Sequence, residues 1–190
     1  MTSPPPVAYR PFPSKRGRNW RQQRLEIPLF TWLLDLPAHA QVLEVGCGRG
    51  IGLPIIAERC RPARLVGIDF DGELLAEARP VIVDGDIRVE LLEADVRTMP
   101  FEDGSFDVVI DFGTCYHVAR PWEALREIDR VLRVGGVFAY ETPLNQLLSH
   151  PMRSGMRRLP WPAAPNLVLA CNALLWAARR KDTERRPSGN

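Results

Sequence analysis

The 190-residue chain lacks any uninterrupted apolar run of the roughly 18 residues that a membrane-spanning helix needs. It has no C-x-x-C pair: Cys47, Cys60, Cys115 and Cys171 stand far apart, and His39, His117 and His150 are its only histidines. That spacing fits neither a zinc site nor a dense disulfide framework, so no metal centre is expected and reduced thiols point to the cytoplasm. No apolar stretch follows the basic residues near Met1, so a secretory leader is not expected. Residues 1–24 contain no acid at all.

What is present is a globular composition, 45% hydrophobic and 25% charged, at a length suited to one domain with a sizeable core. The net charge of +2 hides an uneven distribution. Residues 1–24 hold six basic side chains and residues 150–190 hold eight against two acids, so the ends sum to +12 around a body, residues 25–149, of net −10. Basic ends suggest phosphate-bearing partners; an acidic body repels a nucleic-acid backbone. Residues 1–18, with Pro4, Pro5, Pro6, Pro11 and Pro13, read as a flexible arm, residues 19–180 as a single domain, and residues 181–190 as a disordered tail.

Within that domain, residues 19–36 read as helical segments interrupted or restarted at Pro28. Beyond Pro37, short apolar runs alternate with amphipathic ones. Strands are expected at Gln41–Val45, Arg64–Asp69, Ile87–Glu93, Phe106–Asp111 and Gly136–Glu141. Helices are expected over Gly50–Arg59, from about Gly72 to Arg79, and over Pro121–Leu132, the last closed by Gly135 and Gly136. This alternation predicts an α/β, doubly wound, mostly parallel sheet whose ligand lies beyond the carboxyl ends of the strands. Residues 143–180 are expected to supply a lid and complete the sheet: Leu167–Ala178 reads as a helix or, the favoured reading, as a short helix followed by a last strand over Ala173–Arg179.

The most informative stretch is Val42-Leu-Glu-Val-Gly-Cys-Gly-Arg-Gly50, with glycines at 46, 48 and 50 between a strand and a helix. Such a turn needs positive φ or a bare main chain against a ligand. It departs from the dinucleotide pattern G-x-G-x-x-G, because Ile51 stands where the third glycine belongs. Glu44 lies two residues before Gly46, and a carboxylate there repels a pyrophosphate and attracts an ammonium group. Asp69 ends the second strand, placed to accept hydrogen bonds from both ribose hydroxyls, which also suits a nicotinamide cofactor. Phe70 beside it can cover an adenine face. Cys47 sits at a helix start, which lowers a thiol pKa, but its small size in a cramped loop also accounts for it. Asp103 and Asp107 read as turn-shaping residues.

These stretches resemble the class I S-adenosylmethionine-dependent methyltransferases, specifically their small-molecule, type 11-like group. The resemblance rests on VLEVGCGRG (42–50), LVGIDFD (65–71), ADVRTMPFEDGSFDVV (94–109), CYHV (115–118) and LREIDRVLRVGG (125–136), in order and at family-like spacing across about residues 40–142. It implies a three-layer Rossmann-like sheet of methyltransferase type with a shortened C-terminal part, and S-adenosylmethionine as cofactor. It also implies that Asp95 accepts from the adenine amino group, that the backbone N–H of Val96 serves the ring, and that Asp111 and Phe112 flank the methionine part and the reactive methyl. Together with Glu44, Gly46, Cys47, Gly48, Gly50, Asp69 and Phe70, these form the expected cofactor site.

The sulfonium supplies an activated methyl, so the protein mainly aligns the two reactants and excludes water. His117 and Tyr116 are the candidates for assisting an acceptor proton, with a packing or helix-start role for His117 left open. Trp20, Phe30, Trp32, Met152, Met156 and Trp161 are available for an apolar lid, so the expected partner is a small hydrophobic acceptor. The alternatives are a nucleic-acid methyltransferase or binding protein using the basic ends, and a cofactor-binding scaffold without catalysis. Leu167–Ala178 followed by Arg179-Arg-Lys leaves peripheral contact with an anionic membrane as a minor reading. A monomer and a homodimer both remain open.

Overall fold

The computed structural model describes residues 20, 23–24, 27–34, 39–84, 88–141 and 176–180. Six strands form one sheet: β1 (Gln41–Val45), β2 (Arg64–Asp69), β3 (Glu90–Glu93), β4 (Phe106–Asp111), β5 (Leu132–Glu141) and β6 (Trp176–Arg180). Their spatial order is β3-β2-β1-β4-β5-β6. The first five are parallel, and β6 runs antiparallel beside β5. The chain leaves β1 in one direction to build β2 and β3 and returns to its other side for β4. The crevice at that reversal, between the carboxyl ends of β1 and β4, is where open α/β sheets bind ligands.

Burial on both faces explains why the central strands are so apolar. Val42, Leu65, Val108 and Ile110 pack on one face with Leu53 and Ile56 of α2 (Leu53–Cys60) and Leu75 and Ile82 of α3 (Gly72–Asp84). Leu43, Val45, Val66, Ile68 and Val109 pack on the other with Ala124, Ile128 and Val131 of α4 (Pro121–Val131). Neighbouring strand residues thus divide between two cores, as the period of two requires. Before the sheet, α1 (Ile27–Leu34) starts with Pro28 in its first turn and buries Ile27 and Thr31, whose hydroxyl donates to the Ile27 carbonyl over 2.9 Å.

α2 starts at Leu53 rather than at the expected Gly50, because Gly50 takes φ +70° in the preceding turn. Three further boundaries also differ from the expectation. α3 continues through Pro80 to Asp84, because burying Ile82 against the sheet offsets the hydrogen bond lost at the proline. The edge strand β3 starts at Glu90 rather than Ile87; Arg88 and Val89 are outside it, and residues 85–87 are not described. The third difference is larger. Gly135 and Gly136 do not stop a helix: α4 ends at Val131, and Leu132 is already extended and paired with Phe106. The pairing then jumps to Val108 with Val137, so residues 133–136 bulge out of the ladder. Gly135 takes φ +80°, and a Cβ on Gly136 would stand 2.8 Å from the Asp107 carbonyl oxygen. The glycines serve the bulge.

Asp107 lies within β4 rather than in a turn: it is buried, accepts the Gln41 N–H over 2.7 Å and pairs with Arg133. Asp103, exposed, receives Arg130 over 2.8 Å. No helix among the described residues is long and apolar enough to cross a membrane.

Candidate cofactor site at the carboxyl edge of the sheet

The register brings the acidic strand ends together. Val45 lies opposite both Ile68 and Asp111, so Glu44, Asp69 and Asp111 approach the crevice from three adjacent strands. All three carboxyl groups are buried.

The glycine loop closes over them. Gly46, Gly48 and Gly50 all take positive φ, of +67°, +53° and +70°. A Cβ on Gly46 would overlap the Thr114 hydroxyl, whose oxygen in turn donates to the Val45 carbonyl over 3.3 Å. At Gly48 the constraint is conformational, since a Cβ would make only ordinary contacts, 3.9 Å from Asp69 Oδ2 and 4.0 Å from Leu74 Cδ1. The Gly48 N–H donates to Asp69 Oδ2 over 2.8 Å, and the Asp71 N–H donates to Asp69 Oδ1 over 3.0 Å. The backbone N–H of Phe70 is a third donor to this carboxylate. Burial pushes the Asp69 pKa up, opposed by those N–H donors.

Glu44 is the least satisfied of the three. Its Oε2 is buried without a hydrogen-bond partner, and the side chain lies so close to Gly52 that a Cβ there would sit 2.7 Å from Oε1. Burial first, then the neighbouring charges of Asp69 and Asp111, push its pKa up to about 8. A buried carboxyl without a partner, facing two more acids, is electrostatically suited to an incoming cation.

Asp111 differs. Its Oδ1 accepts the N–H groups of Gly113 and Thr114 over 2.9 and 2.5 Å, and its Oδ2 accepts that of Cys115 over 3.1 Å. It therefore caps the turn into the short 3-10 helix Cys115–His117 and adds charge to the crevice; burial raises its pKa. Phe112 is half-buried beside it. Cys47 is buried under Gly67, with its thiol pKa pushed up by desolvation and then by Glu44 and Asp69, so the helix start does not activate it.

Farther along the edge, Asp95 follows β3 and lies under Arg97, which holds its pKa below the ordinary carboxylate range. Val96 is buried in the α4-side core, and Phe70 is 61% exposed at the end of β2. His117 is exposed, and its backbone N–H donates to the Thr114 carbonyl over 2.9 Å; the side chain of Tyr116 lies outside the described residues. Of the lid candidates, Trp20 and Trp32 are exposed at 59% and 71%, while Met152, Met156, Trp161 and the side chain of Phe30 lie outside the described residues.

The expected set omits four participants. Thr114 packs on Gly46, Arg97 covers Asp95, and Arg49 of the glycine loop pairs with Glu77 on α3. Arg130 binds the Met99 and Phe101 carbonyls over 2.9 and 2.6 Å, holding the loop after Asp95 against α4. Only the Asp95–Arg97 spacing of two leaves a sign in the sequence, as a local acid–base pair.

A parallel sheet with a reversal at β1/β4, a glycine turn, and acids ending three neighbouring strands define a doubly wound fold with its ligand crevice at the carboxyl edge. The profile described as "Methyltransferase domain" matches residues 43–140, more than half of the chain. The chain belongs to the class I S-adenosylmethionine-dependent methyltransferase family.

A probable S-adenosylmethionine-dependent methyltransferase of Mycolicibacterium smegmatis is 33% identical over 149 residues, 78% of this chain and 55% of the relative. The fatty-acid O-methyltransferase of the same organism is 37% identical over 102 residues, 53% of this chain and 36% of the relative. The crystal structure of a SAM-dependent methyltransferase from Aquifex aeolicus, 19% identical, superposes with a TM-score of 0.61 over 80% of this chain and 81% of that one, a likeness of fold. The chain spans 38–55% of the length of the first curated relatives it matches.

Proposed function

We propose that this chain binds S-adenosylmethionine at the crevice and transfers its methyl group to a small, hydrophobic acceptor in the cytoplasm. The observation that carries the reading is the buried, unpartnered Oε2 of Glu44, facing Asp69 and Asp111 beneath a bare glycine turn. That donor set fits the cofactor: Glu44 takes the methionine ammonium, Asp69 accepts from the ribose hydroxyls, and Phe70 lies over the adenine. Asp95 and the Val96 N–H read the adenine edge, and the Gly46–Gly50 turn leaves the space the methionine part needs.

The bound cofactor supplies a methyl group already activated on a sulfonium. The residues around it hold and orient it, keep water out with the two apolar cores, and present the acceptor from the side of Phe112. We assign to His117 and Tyr116, in the short 3-10 helix after β4, the receipt of a proton from an acceptor hydroxyl or amine. The hydrophobic acceptor class rests on the exposed Trp20 and Trp32 and on the fatty-acid relative.

Methylation of a panel of fatty acids and phenols, scored by transfer of labelled methyl from S-adenosylmethionine, tests this reading. Transfer that is lost in Asp69→Ala supports it; cofactor binding without transfer to any acceptor supports a scaffold instead.

A further inference from the structure

Asp95 stands where the adenine amino group is to be read, yet Arg97 already engages both of its carboxylate oxygens. Its Oδ1 accepts the Arg97 backbone N–H over 2.9 Å. The single N–H of Arg97 Nε is shared between Oδ1 and Oδ2, over 3.0 and 2.9 Å, and Oδ2 also accepts a terminal guanidinium nitrogen over 2.5 Å. Three N–H groups thus occupy a carboxylate with about four lone pairs, and the guanidinium touches both oxygens that an exocyclic amine would use.

We propose that Arg97 competes with the adenine amino group for Asp95: it closes the carboxylate while no nucleoside is bound and must leave it for an adenosine-bearing ligand to enter. Arg97 is therefore a determinant of cofactor affinity and of adenine selectivity in this chain. The proposal rests on the cofactor reading above.

Arg120, paired with Glu123 of the first turn of α4 over 2.8 Å, is a second cation whose charge reaches Asp95. When Arg97 leaves, Arg120 remains and favours the ionised carboxylate that accepts from an amine. The backbone N–H of Arg97 stays on Oδ1, which preserves the turn and leaves the other lone pairs free. Arg97 and Asp95 side chains are 21% and 36% exposed, so the pair is of the partly screened kind, worth up to about 1 kcal/mol or about fivefold in affinity.

The test is calorimetric titration of the full chain with S-adenosylhomocysteine and with its 6-oxo analogue S-inosylhomocysteine, comparing the native chain with Arg97→Met and Arg97→Lys. Arg97→Met is expected to bind S-adenosylhomocysteine about two- to fivefold more tightly, with Arg97→Lys in between because an ammonium cannot make the forked pair. The gap should narrow with added salt, and the 6-oxo analogue, which has no amine to offer Asp95, should gain nothing. Matched thermal unfolding of the variants establishes that they fold alike. Equal or weaker binding of S-adenosylhomocysteine by Arg97→Met overturns the competition and leaves the cofactor reading standing. No binding by any of the three proteins overturns the cofactor reading, and the competition with it.

Discussion

The backbone N–H of Gly48 donates to Asp69 Oδ2 over 2.8 Å, so the middle of the glycine turn is tied to the end of the neighbouring strand. The carboxylate expected to receive the ribose therefore also holds the loop that shapes the rest of the crevice. Replacing Asp69 by Ala removes both functions at once. Hydrogen bonds to a charged group are worth about 1.5–3 kcal/mol, so S-adenosylhomocysteine affinity should fall by at least about tenfold. Calorimetry checks this; unchanged affinity would count against the assignment of Asp69.

Gly46 and Gly48 both have positive φ but differ in surroundings. A Cβ on Gly46 overlaps Thr114, whereas one on Gly48 makes only ordinary contacts with Asp69 and Leu74. Gly46→Ala should cost about 2–4 kcal/mol, from strain plus overlap, and Gly48→Ala about 1 kcal/mol from strain alone. Urea unfolding midpoints decide this, and equal losses at the two positions would contradict it.

The visible part of this arrangement in the sequence was large where burial is two-sided. QVLEV, RLVGID and FDVVID form β1, β2 and β4 at the expected residues, because each is a short apolar run with no solvent face and a turn at its end. Their terminal acids stood out for the same reason, as charges at the ends of otherwise apolar segments. The stretch LRVGG did not announce its structure. Locally it reads as a glycine-stopped helix; the pairing of Leu132 with Phe106, 26 residues away, makes it a strand with a bulge. The engagement of both Asp95 oxygens by Arg97 depends on loop geometry that no periodicity encodes, and Arg130 reaches back 29 residues to Phe101.

That long reach gives a stability prediction. Arg130 joins α4 to two loop carbonyls, to Asp103 and to Glu127, which itself accepts the Met99 N–H over 2.9 Å. Arg130→Met leaves these acceptors without their donor and should destabilise the fold by about 1–3 kcal/mol. A urea midpoint equal to that of the native chain would show that the clamp contributes nothing.

Glu44 gives the pH dependence. In the fold its proton is held to about pH 8, against an ordinary carboxyl value of 4.5 in the unfolded chain. Between those values the folded state binds the extra proton, so this contribution favours folding at low pH and is lost as the pH rises towards 8. Glu44→Gln removes the titration. Its stability should decline less between pH 5 and 8.5 than that of the native chain and exceed it at the upper end. The groups facing Glu44 are Asp69, Asp111 and the Cys47 thiol, all unchanged in the variant. Parallel stability curves for the two proteins would contradict the assignment.

The most direct measurement is calorimetric titration of the native chain with S-adenosylhomocysteine at pH 7 in buffers of different ionisation enthalpy. An ammonium arriving beside Glu44 lowers its pKa, so binding should show one site and release up to about one proton, a release absent in Glu44→Gln. A folded native chain that takes up no S-adenosylhomocysteine at about 1 mM, or binds it with the same proton balance as Glu44→Gln, would contradict the placement of a cationic cofactor among these three carboxyl groups.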